Sequence, residues 1–460
     1  MNKRKLIIIV FWIGLWQLVS IISKNAVFFV GPVDVVRTLA EQCLKGDFWI
    51  SIASSMGKIG AGFLSAFIFG IAIGILAYSY SIIKELLSPI MALMKSVPVA
   101  SFVILALIWM GSKWLSVFIS FLIVFPIIYT NTISGLSSTD VKLLEMAKVF
   151  RMKKWHRAVA IYKPALMPYI INSCKVALGM AWKSGIAAEV IGVPEFSIGE
   201  KLYVSKIYLD TAGLFAWTLV IVLLSVVTEK LLLALLRSLD NLYPLDMVSF
   251  GHEGSLGTEP HADPIEYQNA SFSINHINKS YGGQRVLEGY SIILASNGVY
   301  CLMGPSGSGK TTLFNILSGV IRPDKGDIKD FESLAISEVF QEDRLQEALS
   351  PVKNVQIACR GVKSKEQIIK ELSRILPEDC LEKPVRELSG GMKRRTAVCR
   401  AVMSDSDIMI MDEPFTGLDK EAKLNTIEYI KKNRKGRLLI VSTHNEEDIE
   451  LLKAQKLQLN

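Results

Sequence analysis

Apolar residues fill the first half of the chain in long runs and then, past a polar stretch, recur only as short runs broken by glycines and charges. A run of about 20 apolar residues matches the thickness of a bilayer, whereas short β-capable runs alternating with helical spacing mark a soluble α/β domain. The spans predicted on this basis are Leu6–Ile22, Ser55–Tyr78, Leu86–Met110, Trp114–Gly135, Tyr169–Ile191 and Thr211–Leu236. The first follows Lys3, Arg4 and Lys5, and no small-residue cleavage site ends it. It is therefore expected to stay as a first crossing rather than leave as a signal peptide. Gly57, Gly60, Gly62, Gly70 and Gly74 predict close helix packing in the second span, and Pro98 predicts a kink in the third. The reading is a multi-domain chain: an all-α polytopic membrane domain of about six helices over 1–238, a polar linker over 239–270, and an α/β domain over 271–460.

Charge adds an orientation to this picture. Of the net +8, much lies between the fourth and fifth spans, where Lys142, Lys148, Arg151, Lys153, Lys154, Arg157 and Lys163 face only Asp140 and Glu145. Such a loop, like the basic N-terminus, is retained on the cytoplasmic side, so an even number of crossings delivers the second half to the cytoplasm too. The expected location is the cytoplasmic membrane, multi-pass, and the placement of the charge argues against nucleic acid as a partner. Cys43, Cys174, Cys301, Cys359, Cys380 and Cys399 show neither disulfide nor metal spacing, and the five histidines are scattered.

Candidate chemistry begins at Gly304-Pro305-Ser306-Gly307-Ser308-Gly309-Lys310-Thr311-Thr312. In this pattern glycines let successive backbone N–H groups turn toward phosphate oxygens, Lys310 adds a cation, and the hydroxyl of Thr311 is a ligand for Mg²⁺. The run Val299–Met303 before it reads as a strand and Leu313–Leu317 after it as a helix, which is the context the loop needs. Further on, Asp412 ends the apolar strand Ile408–Met411 and suits Mg²⁺ through its water shell. Glu413 beside it suits general-base activation of water for attack on a γ-phosphate. His444, after the strand Leu438–Ser442, is placed to stabilise charge developing on that phosphate. Ser389, Gly390 and Gly391 stand where a helix begins, a second anion-binding N-terminus.

Taken in order, Val339-Phe340-Gln341, Leu388-Ser389-Gly390-Gly391-Met392, Asp412-Glu413, Gly417-Leu418-Asp419 and Ser442-Thr443-His444 resemble the motif series of ABC ATPases over Phe272 to about Glu450. The resemblance implies that Gln341 contacts Mg²⁺ and the attacking water, and that Tyr281 stacks on the adenine of ATP. It also implies that each ATP site joins the phosphate loop of one chain to Ser389–Gly391 of another, hence a homodimer. In the membrane half, Glu145-Met146-Ala147, Arg151, Lys163-Pro164, Pro168-Tyr169-Ile170 and Ala187-Ala188-Glu189-Val190-Ile191-Gly192 resemble the coupling region of binding-protein-dependent ABC importer permeases. The resemblance is to the nitrate, sulfonate and taurine branch, and Met392 in place of the commoner glutamine points the same way. Two positions depart from that family: Met146 replaces an alanine, and Arg151 occupies the glycine position.

Both resemblances together imply a type I importer in which permease and ATPase are fused, served by an external solute-binding protein and moving a sulfonate-, taurine- or nitrate-like anion. Three alternatives stay open: an uncharged solute such as a thiamine pyrimidine precursor, a half-size ABC exporter, and a membrane-anchored ATP-dependent regulator. Lys183 and Glu189, ionisable residues in the fifth span, have no role assigned by the motifs.

Overall fold

In the computed structural model, which describes residues 3–23, 29–241, 271–359 and 363–459, the apolar half is built from helices. In chain order they are α1 (Lys3–Ser23), α2 (Pro32–Cys43), α3 (Gly46–Ser79), α4 (Ser81–Ser96), α5 (Val99–Ser137), α6 (Val141–Val149), α7 (Lys154–Arg157), α8 (Lys163–Gly192), α9 (Ile198–Ile207) and α10 (Thr211–Asn241). Four stretches are long and apolar enough to cross a membrane among the described residues: Leu6–Ser23, Gly46–Ser79, Val99–Ser137 and Thr211–Leu239.

The third expected span, Leu86–Met110, is not one helix. Val97 and Pro98 are extended, at ψ 126° and 120°, and separate α4 from α5. Proline lacks an N–H and disfavours the helical conformation of the residue before it, so Pro98 starts α5 rather than kinking a continuous span. Within α5, Gly111 at φ 74° and ψ 178° divides a first half from the segment that contains the fourth expected span. The fifth falls on α8, which is long enough but carries Lys163, Lys175, Lys183 and Glu189.

The chain divides into two compact units: residues 1–138 with 165–242, and residues 139–164 with 243–460. In the first, α3 and α5 approach closely because three glycines permit it. A Cβ at Gly62 would lie 2.3 Å from the Val117 carbonyl oxygen, and Cβ atoms at Gly70 and Gly74 would lie within 2.9 Å of Ile128 and 2.8 Å of Thr132. Gly57 and Gly60 meet nothing within 4 Å and take no part in this contact. Around the close approach, Phe63, Ile128, Cys174, Trp182 and Trp217 form one buried apolar cluster.

The second unit continues with β1 (Ser271–Tyr281), β2 (Gln284–Ala295), β3 (Val299–Met303), α11 (Lys310–Leu317), β4 (Lys325–Asp327), α12 (Lys329–Glu332) and β5 (Ile336–Val339). After them come α13 (Pro351–Ala358), α14 (Lys365–Leu372), α15 (Gly390–Met403), β6 (Ile408–Asp412), α16 (Lys420–Asn433), β7 (Leu438–Ser442), α17 (Glu446–Leu452) and β8 (Gln455–Gln458). A parallel sheet runs β5-β6-β7-β3-β8, flanked by an antiparallel sheet β2-β1-β4. All residues of β5, β6 and β7 are buried, the pattern of parallel strands covered on both faces. The expected linker lies mainly outside the described residues.

Residues 139–164 pack into the core of this second unit. Asp140 caps α6 by accepting from the Lys142 N–H at 2.8 Å. The buried face Leu143, Met146, Ala147, Val149 and Phe150 joins a cluster with Phe314, Phe331 and Phe340. Met146 thus fills a core position where alanine would leave space. Arg151 adopts φ 47°, the left-handed conformation that glycine takes without cost, and donates to the Leu334 carbonyl at 2.6 Å. Arg344 pairs with Glu145 at 2.9 Å, and Lys148 donates to the Gly319 carbonyl at 2.6 Å. Because the fully buried Met146 leaves a cavity when truncated, Met146→Ala is expected to destabilise this unit by about 2–5 kcal/mol. A lowered unfolding midpoint of the full chain in detergent checks this.

Candidate functional site

The parallel sheet delivers its polar residues at one edge. β3 ends at Met303, β6 at Asp412 and β7 at Ser442, so the loops that follow all leave from the C-terminal ends of the strands, where open α/β sheets place their sites. Gly304–Gly309 wraps from β3 into α11. Gly307 and Gly309 need φ 85° and 94°, and a Cβ at Gly309 would come 3.0 Å from the Val286 carbonyl oxygen. The loop is partly open, with Pro305, Ser306 and Gly307 exposed and Gly309 and Lys310 buried. Lys310 turns back on the loop, its Nζ donating to the carbonyls of Gly304 at 2.8 Å and Pro305 at 2.9 Å. Thr311 and Thr312 open α11.

Asp412 is the centre of the hydrogen-bonded set. Its Oδ2 accepts from Thr311 Oγ1 at 2.7 Å and its Oδ1 from Ser442 Oγ at 2.5 Å. The same Ser442 oxygen accepts from the Glu413 N–H at 2.9 Å. Glu413 sits at φ 49°, a left-handed conformation costly for a side chain with a Cβ and held here by that bond. Its Oε1 lies 2.9 Å from His444 Nε2, and its Oε2 accepts from Thr416 Oγ1 at 3.3 Å. A hydroxyl and a carboxylate oxygen at this separation are a donor set for a hard divalent cation, so Thr311 and Asp412 fit the expected Mg²⁺.

The remaining expected residues lie apart from this set. Gln341 is exposed, with no side-chain bond to Thr311 or Asp412; it lines a cleft of about 560 Å³ together with Ser389, Gly390, Gly391, Thr416, Gly417 and Asp419. None of residues 304–312 lines that cleft. Ser389 caps α15, accepting from the Met392 N–H at 3.4 Å, and with Gly390 is exposed at the helix start. Tyr281 is half exposed at the end of β1, its ring 5.6 Å from Lys279 Nζ.

Sequence reasoning misses three features. Arg394, buried on α15, donates to the carbonyls of Phe340 at 2.6 Å and Gln341 at 2.9 Å and pairs with Asp343 at 3.0 Å, fixing the backbone around Gln341. Its position just after Ser389-Gly390-Gly391 is the available signal. Ser442 reads from sequence as a strand end that opens the Ser442-Thr443-His444 motif, and its bonds to Asp412 and the Glu413 N–H are what the sequence does not show. The third is a buried charged group behind the Gln341 loop: Arg400 donates to the carbonyls of Asp343 and Arg344 at 2.9 and 2.8 Å, and Arg344 stacks 3.9 Å over Phe340. Burial pushes the nearby Glu338 carboxyl up to about 8, against the opposing pull of Ser318 and Arg344.

Comparison with known proteins locates this arrangement. The family model of ABC transporters matches residues 287–416, and that of binding-protein-dependent transport system inner membrane components matches residues 66–241. Among curated relatives, the Nod factor export ATP-binding protein I of Azorhizobium caulinodans is 34% identical over 191 residues, 37% of this chain and 59% of that protein. That of Cupriavidus pinatubonensis is 30% identical over 219 residues, 44% of this chain and 67% of that protein. The zinc import ATP-binding protein ZnuC of Photorhabdus laumondii is 31% identical over 163 residues, 35% of this chain and 63% of that protein. The match thus spans 59% of the first of these relatives. A solved dimeric bacterial ABC transporter cassette is 24% identical, with TM-score 0.37, covering 41% of this chain and 94% of that one.

Glu338 gives the site a pH signature. Its folded-state value lies above the ordinary 4.5, so the folded protein holds the proton more tightly than the unfolded chain. Its contribution to stability is complete below pH 4.5 and is lost as pH rises to about 8. Glu338→Gln is expected to flatten the fall in unfolding midpoint across that window, and parallel pH profiles of the two proteins check it.

Proposed function

The chain belongs to the ABC transporter family, and we propose that it hydrolyses ATP to import a small solute across the cytoplasmic membrane, working as a homodimer with an external solute-binding protein. The observation that carries the reading is the union, in one polypeptide, of a binding-protein-dependent permease segment with a cassette whose Asp412, Glu413, Ser442 and His444 are hydrogen-bonded into one set. The proposed parts are a permease over 1–238, a linker over 239–270 and an ATPase over 271–460.

Roles follow from the chemistry of each residue. The backbone N–H groups of Gly304 and of Ser306 through Thr312 cradle the phosphates, and Lys310, released from its loop carbonyls, supplies the cation. Tyr281 offers an exposed ring to the adenine. Thr311 and Asp412 would hold Mg²⁺, with Gln341 as a further ligand, and the ion when bound would supply positive charge to the phosphates. Glu413 takes the proton of the attacking water, and His444, oriented by Glu413, donates to the γ-phosphate as charge builds there. Ser389 and Gly390 are exposed at the start of α15, Gly391 borders the same cleft, and none of residues 304–312 lines it, as suits a site completed by a second copy.

An anion of the sulfonate, taurine or nitrate kind is the proposed solute, on the strength of the branch resemblance in the coupling region and at Met392. Export is the second reading, favoured by the names of several relatives of the cassette; the permease match of residues 66–241 favours import. With the external protein absent, basal hydrolysis is expected, and its cognate binding protein should raise it several-fold. Outward movement of lipid or drug without such stimulation would overturn import. Glu413→Gln is expected to keep ATP binding and lower hydrolysis by about 100-fold or more; nucleotide binding and phosphate release measured on the same preparation check both halves.

A further inference from the structure

We propose that Glu189 is the positioning residue that seats α9 on the end of the α3–α5–α8 bundle and lets it lift in the transport cycle. The proposal rests on the transporter reading above. Glu189 lies at the end of α8 opposite its junction with the 139–164 segment and is fully buried among apolar helices. Its carboxyl gathers one donor from each of three other elements: Ser55 of α3 at 2.7 Å, Ser116 of α5 at 3.3 Å, and the N–H of Gly199 in the first turn of α9 at 3.2 Å. Ser55 in turn accepts from the Ile198 N–H at 2.8 Å, so the first two amides of α9 both end on this cluster.

The approach is close enough to exclude any side chain. A Cβ at Gly199 would lie 2.2 Å from the Glu189 Cβ. The connection from α8 to α9 contains two non-glycine residues in the left-handed region, Val193 at φ 44° and Phe196 at φ 53°. Such conformations persist only where surrounding bonds hold them: Ser197 Oγ donates to the Pro194 carbonyl at 2.7 Å inside the turn, and the Glu189 carboxyl ties the start of α9 back to the end of α8. Burying an ionisable group among apolar helices is costly, and a well-packed apolar side chain would secure a permanent contact at least as well. Hydrogen bonds from hydroxyls suit a contact that must instead form and break, since each donor can exchange its partner for water. α9 is the mobile candidate because it is short, is bonded at its start through Ile198 and Gly199, and at its far end is joined to α10 by the Asp210–Ser205 and Asp210–Gly213 bonds.

Ile198, fully buried at the start of α9 in the apolar cluster that holds Ile52 and Ile59 of α3, reports the seating. With Cys43→Ser removing the half-buried cysteine of this unit, Ile198→Cys in the full chain in nanodiscs is expected to react slowly with a maleimide at rest and at least 5-fold faster during ATP turnover. In Glu189→Ala the same cysteine is expected to react fast without nucleotide and to lose its nucleotide response, while Glu189→Gln, which keeps the shape and an acceptor, restores most of the protection. Should Glu189→Ala fail to fold, Ser55→Ala removes one donor to Glu189 together with the acceptor of Ile198, and a smaller rise in resting reactivity is expected. Unchanged protection and nucleotide response in a folded variant would overturn the role of Glu189. Hydrolysis measured on the same preparations separates the two claims: turnover with no effect of Glu189 defeats this proposal alone, whereas no turnover in the parent defeats the transporter reading.

Discussion

A single carboxyl group, that of Asp412, fixes the chemistry-bearing half of this protein. It sits at the end of a strand buried on both faces, where an unsatisfied carboxylate is not tolerated, and its two oxygens take the hydroxyls of Thr311 and Ser442. Strand register makes this possible, because Asp412 and Ser442 are paired across β6 and β7. The bond from Ser442 to the next amide then holds Glu413 in its left-handed conformation, which in turn aims the Glu413 carboxyl at His444. Phosphate loop, carboxylates and histidine therefore share one frame, and each depends on the parallel pairing that brings three strand ends together.

Residues 139–164 show a different logic. They interrupt the helical half in sequence, yet their buried face is part of the cassette's core. Polar contacts surround that face: Glu145 with Arg344, Lys148 with Gly319, Arg151 with Leu334, and Gln346 with the Ala160 carbonyl at 3.0 Å. Arg344 belongs to the loop that follows Gln341 and stacks on Phe340, so the segment and the Gln341 loop lean on the same guanidinium. The two departures from the family pattern acquire a physical sense here. Met146 supplies volume to a core, and Arg151 accepts the strain of a left-handed conformation while adding a bond that glycine cannot make.

Much of this is legible in the sequence because it is written locally. A phosphate loop needs glycines at fixed offsets, and two of them, Gly307 and Gly309, adopt conformations that only glycine takes easily. Hydrophobic runs locate the long helices, and Asp412 announces itself as the polar end of an apolar strand. The features that stay hidden depend on partners distant in sequence. Arg394 looks like an ordinary helix charge until its carbonyl partners, more than fifty residues earlier, are in place. Glu338, Arg344 and Arg400 give no periodic or spacing signal, since a buried charged group is defined by what closes over it. The break at Val97–Pro98 reads as a kink because hydropathy averages across it, whereas the backbone restriction imposed by proline acts on one residue.

The assignment of residues 139–164 to the cassette's core means that the polypeptide passes between its two compact units three times: after Ser138, after Pro164, and through the linker. A bundle and a cassette carried on separate chains meet by diffusion and can exchange partners. Here the cassette core incorporates a loop whose two ends are both rooted in the bundle, so the units remain neighbours by covalent continuity at three places. Stoichiometry is thereby built into the chain, and pairing becomes an intramolecular event at high effective concentration. The contacts of α6 with the cassette core are then made within one chain and need recruit no separate partner.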